Sequence, residues 1–182
     1  EFRRVLFRSL FDHEGKTDPV FYCGKPGVPR IGAPRKIVQL PNEIIFFYED
    51  ISGDPYRIIP TDGRKHRENG NPSAYGDSVA RWEGNTLVVD VTNFVDDTWF
   101  GEDGYFHSGE MHVVERLTFR DATNVSYDVT IDDPAIFEST WTENWQAQLK
   151  PTWKIFEFVC DDNDRCRNGK CVDSDAQKSN TD

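Results

Sequence analysis

Residues 125–132, Val-Ser-Tyr-Asp-Val-Thr-Ile-Asp, limit the fold more than any other stretch of this chain. Val125, Tyr127, Val129 and Ile131 alternate with Ser126, Asp128, Thr130 and Asp132, a period of two that suits a strand with one face on a core and one in water. Short runs of β-branched and aromatic residues separated by turn signals recur from residue 36 onward. They predict strands at Lys36–Leu40, Glu43–Glu49, Tyr56–Pro60, Ser78–Glu83, Thr86–Val91, Met111–Phe119, Val125–Asp132, Trp141–Leu149 and Lys154–Cys160. Tight links such as Glu83-Gly84-Asn85 make neighbouring strands antiparallel hairpins, and no stretch carries helical periodicity. The fold class is therefore all-β: a single antiparallel barrel of the calycin or lipocalin type, or a bent sandwich.

The remaining segments are of other kinds. Residues 10–35 hold four glycines and four prolines and read as an extended, irregular arm to the β domain of 36–160. Residues 92–110 form a loop of unusual length, whose Phe94, Trp99, Phe100, Tyr105 and Phe106 argue for order and function. Residues 161–182 read as a cysteine hairpin followed by a disordered acidic tail. The first nine residues, Glu-Phe-Arg-Arg-Val-Leu-Phe-Arg-Ser, lack the apolar run of a secretory signal, because Arg8 interrupts after Val5, Leu6 and Phe7. They match the translation of a common sequencing adapter (GAG TTC AGA CGT GTG CTC TTC CGA TCT), so a processing scar making no packing contacts is expected there.

At a net charge of −11 the chain repels phosphate backbones and anionic lipid, so neither nucleic acid nor membrane insertion is expected. Its one basic cluster outside the first nine residues, Arg64, Lys65, His66 and Arg67, is short.

Four cysteines stand at 23, 160, 166 and 171. Asn168-Gly169 is a type I′ turn signal that would place Cys166 opposite Cys171 in a non-hydrogen-bonded pair, the spacing a disulfide needs. Cys23 and Cys160 would then tie the ends of the domain together. The alternatives are reduced thiols or a metal site. The disulfide reading implies an oxidising compartment, periplasmic or extracellular.

Candidate chemistry gathers in Phe106–Arg116. Glu115 shares the apolar face of its strand with Met111, Val113, Leu117 and Phe119. A carboxylate placed there must be paired, protonated or facing a cavity. Glu143, among Trp141, Trp145, Ala147 and Leu149, repeats the situation. The pair could flank a ligand, or form internal salt bridges with Arg57, Arg81 or Arg116. Glu115 or His112, with His107 nearby, are the candidate general bases. His112 and Glu115, three apart on a strand, face opposite ways and cannot share a metal without a bulge; a metal held by His107, His112 and His66 stays as the lesser alternative to solvent-facing or hydrogen-bonded structural histidines. The run Cys160–Cys166 breaks the calcium-loop order at Arg165. No metal or cofactor is expected. "TDGRKH" presents Asp62, Arg64 and His66 as contacts for an anionic or polar ligand. With Arg81, Trp82, Trp99 and Arg116 they complete the candidate ligand-binding set.

The phrases "GKPGVPR", "IIPTDGRKH", "YGDSVARWEGNTLVVDVTNFVDDTWF", "FHSGEMHVVERLTF", "VTIDDPAIFESTW" and "IFEFVCDDND" resemble, in this order, those of a large group of secreted bacterial β-rich proteins. The likeness runs over residues 18–164. It implies an export signal and a β-rich domain, and carries no catalytic residue with it. Asp62, Arg64, Arg81, Trp82, Glu83, Asp90, Trp99, His107, Ser108, His112, Glu115 and Arg116 match those phrases most closely. The chain departs from them at Glu143 and after Asp164. Three readings follow: an exported module binding a small, partly apolar ligand; a hydrolase, lyase or isomerase; or a structural or adhesive surface module.

Overall fold

The computed structural model describes residues 18–50, 55–101 and 104–157. Its strands are β1 (Lys36–Gln39), β2 (Glu43–Phe47), β3 (Tyr56–Pro60), β4 (Asp77–Glu83), β5 (Thr86–Thr92), β6 (His112–Phe119), β7 (Asn124–Asp132) and β8 (Trp141–Gln148). They form two antiparallel sheets, β1-β2-β3 and β4-β5-β6-β7-β8, each in simple sequence order. Within each sheet every connection is thus between neighbouring strands, by tight turns at β1–β2 and β4–β5 and by the long loop at β5–β6.

The alternation holds across the larger sheet. Leu87, Val89 and Val91 of β5 face the core with Val113, Glu115 and Leu117 of β6 and with Val125, Tyr127, Val129 and Ile131 of β7, all buried. Ile44, Phe46 and Ile59 of the smaller sheet pack against them in one core. Val88 points the other way and is equally buried. It pairs with Arg81 on one side and Arg116 on the other, and both guanidiniums meet Glu83, at 2.6 and 2.9 Å. The two arginine stems thereby roof an apolar side chain.

The closed barrel is not formed. β3 lies against β4, so the sheets meet along that side. Among the described residues β1 pairs only with β2 and β8 only with β7, which leaves the opposite side open. The result is a sandwich of two sheets joined at one edge. Of the expected last strand, 154–157 form no strand, and the amide of Phe156 donates instead to the Glu49 carboxylate (3.2 Å). Residues 158–160 lie outside the described residues.

The arm is pinned rather than loosely draped. Asp18, fully buried, caps a 3-10 turn (Pro19–Tyr22) by accepting from Val20 N, and takes both Arg30 guanidinium nitrogens at 2.8 and 2.7 Å. Val28 reaches the core. Cys23, which ends the turn with a left-handed φ of 60°, is disulfide-bonded. Cys160, Cys166 and Cys171 lie outside the described residues, and so do the Cys23–Cys160 and Cys166–Cys171 pairings, the adapter-like segment and the acidic tail.

The long loop closes one end of the core with Phe94, Trp99 and Met111. His107 is buried between the rings of Phe94 and Phe100, at 6.0 and 5.5 Å. Asp133, at the end of β7, accepts from the Ser108 amide (2.7 Å) and hydroxyl (2.8 Å) and so anchors the loop.

Candidate functional site

The gap between the edge strands β1 and β8 is a cleft of about 1810 Å³. Trp82, Trp141, Trp145 and Trp153, four of the chain's five tryptophans, line it. β8 is responsible for much of this wall because its inward positions fall at the sheet's open edge, where no strand follows among the described residues. Trp145 stacks on Tyr127 (ring centres 5.6 Å apart, planes 24° apart), which fixes its orientation while leaving it 39% exposed. Trp141 packs edge-on to Phe100 and Phe137, and its indole Nε1 is buried without a hydrogen-bond partner. Glu143, Gln146 and Gln148 add polar groups along the same rim. The arrangement offers flat apolar surfaces with a few polar contacts, the general make-up of a ligand site.

Glu115 does not look into this cleft. Its carboxylate is fully buried and accepts from Arg57 Nη2 at 2.6 Å and from the Tyr127 hydroxyl at 2.5 Å. Arg57 also donates to the Tyr48 hydroxyl (3.0 Å) and Ser78 Oγ (2.8 Å). This bridge joins β3 of one sheet to β6 of the other, and Arg57 was one of the partners the sequence suggested. Burial alone would lower the pKa of Arg57, but the adjacent Glu115 charge outweighs it and raises the value, so the guanidinium stays charged. Burial, then the Glu115 charge, pushes the Tyr127 phenol well above its usual value. Glu143 stands two strands away, opposite Val129, roughly 10 Å across the sheet. It is exposed, and the two carboxylates do not flank a common space.

The histidines separate into different networks. His107 Nδ1 lies 3.0 Å from the Ser108 carbonyl, to which an Nδ1 proton donates, and Nε2 lies 2.6 Å from Thr98 Oγ1. His112 is on the outer face of β6, its Nε2 3.0 Å from Asp90 Oδ1. The same Asp90 oxygen is 2.8 Å from His66 Nε2, and His66 Nδ1 is 3.1 Å from Asp77 Oδ2. Arg67 completes this group through Asp77 Oδ1 (2.6 Å) and its own amide. Burial opposes ionisation of Asp77, but the Arg67 and His66 hydrogen bonds prevail and lower its pKa. Among the described residues no group of three His, Cys, Asp or Glu side chains is arranged to hold a metal ion.

Of the ligand-binding set, Trp82 lines the cleft and Arg64 a second, smaller cavity. Arg64 forms an exposed bidentate pair with Asp62 whose hydrogen bonds hold the aspartate pKa at about 2. Arg81 and Arg116 form the roof over Val88, His66 ties its loop to the sheet, and Trp99 is buried in the long loop. Neither cavity is lined by Glu115, His107 or His112. The sequence reading placed Trp141 and Trp145 on the inner face but not in a site, and it missed the buried acids Asp18 and Asp133. Both aspartates precede a proline, a turn-capping signal that would have found them.

Comparison with protein-family models, curated proteins and solved structures finds no match.

Proposed function

We propose that the protein is an exported binding module whose partly apolar ligand lies along the β1/β8 cleft. The observation that carries this reading is the concentration of four tryptophans in one open cleft. Apolar surface of that extent, uncovered among the described residues, marks an interaction site. Its volume of about 1810 Å³ exceeds the roughly 300–1,000 Å³ of drug-sized sites. An elongated ligand with planar faces fits better than a compact one. The disulfide at Cys23 supports a life outside the reducing cytosol. An enzyme reading would need Glu115 or a histidine at the cleft wall, and none lines it.

N-phenyl-1-naphthylamine, a neutral planar dye, tests the reading. Its fluorescence should rise saturably with energy transfer from tryptophan. Trp145→Ala should weaken binding about tenfold, the loss of one aromatic stack together with some buried area. Unsaturable binding, or binding unchanged in Trp145→Ala and Trp153→Ala, would sink the proposal.

A further inference from the structure

Where β3 and β4 meet there is a second cavity of about 380 Å³, within the roughly 300–1,000 Å³ range of small-molecule sites. It shares no lining residue with the cleft. Arg57, Arg64, Lys65 and Arg67 line it against a single carboxylate, Asp77. Such a gathering of cations runs against the chain's net charge of −11. Glu115 neutralises Arg57, Asp62 neutralises Arg64 and Asp77 neutralises Arg67. Lys65 has no ion pair among the described residues, so the lining groups and their partners keep one positive charge in excess, while the Asp50 charge acts on Tyr75 from outside the lining.

Two of the lining residues also carry buried donors that lack partners. Arg57 is only 5% exposed, and while its Nη1 and Nη2 are engaged by Tyr48, Ser78 and Glu115, its Nε–H meets no acceptor. The Tyr75 hydroxyl is buried and unpartnered as well. Native proteins leave few such groups, and each calls for a missing water, ion or ligand. Burial, then the Asp50 charge, raises the Tyr75 pKa above its usual 10.0, so at neutral pH the hydroxyl keeps its proton and can donate. Two unmet donors beside a surplus cation ask for a negatively charged acceptor. The exposed Tyr56 and Ile58 side chains at the same cavity supply an apolar flank.

We propose that this cavity binds a small organic oxyanion, with its oxygens on Arg57 Nε–H, Tyr75 O–H and the Lys65 ammonium and its apolar body against Tyr56 and Ile58. The sequence placed an anion-contacting site at Asp62, Arg64 and His66. Of those three only Arg64 lines the cavity, and the buried partners come from β3 and from the residues just before β4.

Calorimetric titration of the whole chain at fixed ionic strength tests it with benzoate, phenyl phosphate and the neutral benzamide. At least one anion binds saturably and benzamide does not; the anion that binds distinguishes a carboxylate site from a phosphate site. Tyr75→Phe and Lys65→Ala each weaken that binding about tenfold, the loss of one hydrogen bond to a charged group. Neither change touches the Arg57–Glu115 bridge, and unaltered circular dichroism confirms that both variants fold. Trp145→Ala leaves anion binding as it was, which separates this site from the cleft. No heat with either anion would mean that the cavity holds only water and would overturn the proposal, as would binding undiminished in both variants.

Discussion

Glu115 shows how one residue can be legible in kind and opaque in role. Its place among Met111, Val113 and Leu117 required a partner or a cavity, and apolar spacing alone could not choose between them. The choice is made by Arg57, 58 residues away in sequence, whose guanidinium reaches across the core. Glu115→Gln keeps the shape but leaves Arg57 charged and unmatched in the core. We expect a loss of about 3–5 kcal/mol in urea unfolding, and a loss below 1 kcal/mol would contradict a buried ion pair. Tyr48, Tyr75 and Tyr127 surround the same region, and burial is the first cause of the raised pKa of each. The unfolded chain therefore releases their protons first, near pH 10. Stability is full below that pH and falls as pH rises above it. Absorbance at 295 nm should show these phenols ionising together with unfolding; a smooth titration of a still-folded protein would contradict their burial.

Strands were read well because each carries its own evidence. Alternation and turn residues placed β1 to β8 within one or two residues, since a strand's faces are set locally. Contacts between elements were not legible in that way. Asp90, His66 and His112 belong to β5, the 61–76 loop and β6, and nothing in their spacing announces that one carboxylate holds two imidazoles. Arg81 and Arg116 likewise read as ligand contacts because a roof over Val88 exists only once β4, β5 and β6 pair. The Asp90 network predicts that Asp90→Ala loosens the loop while leaving β5 in place. Amide exchange at residues 64–70 should accelerate and stability should drop by about 1 kcal/mol. Unchanged exchange there would show that His66 does not hold the loop.

At the scale of the molecule, the sheets meet along β3 and β4 and part along β1 and β8. That hinge-like closure decides where sites can exist. The cation-lined cavity lies at the joined seam and the tryptophan cleft at the open side. Both the barrel and the sandwich satisfied the strand pattern. What separates them is whether β1 pairs with β8, a contact between the two ends of the strand series that local pattern does not encode. The tryptophans were visible in the sequence, but their convergence depends on that open edge. Native mass spectrometry of the protein, recovered intact from the cells that make it, tests the central claim most directly. The account predicts a retained organic ligand in the wild type whose occupancy falls in Trp145→Ala and is unchanged in Tyr75→Phe. A bare polypeptide mass, in a protein that also fails to bind the naphthylamine dye, would contradict it.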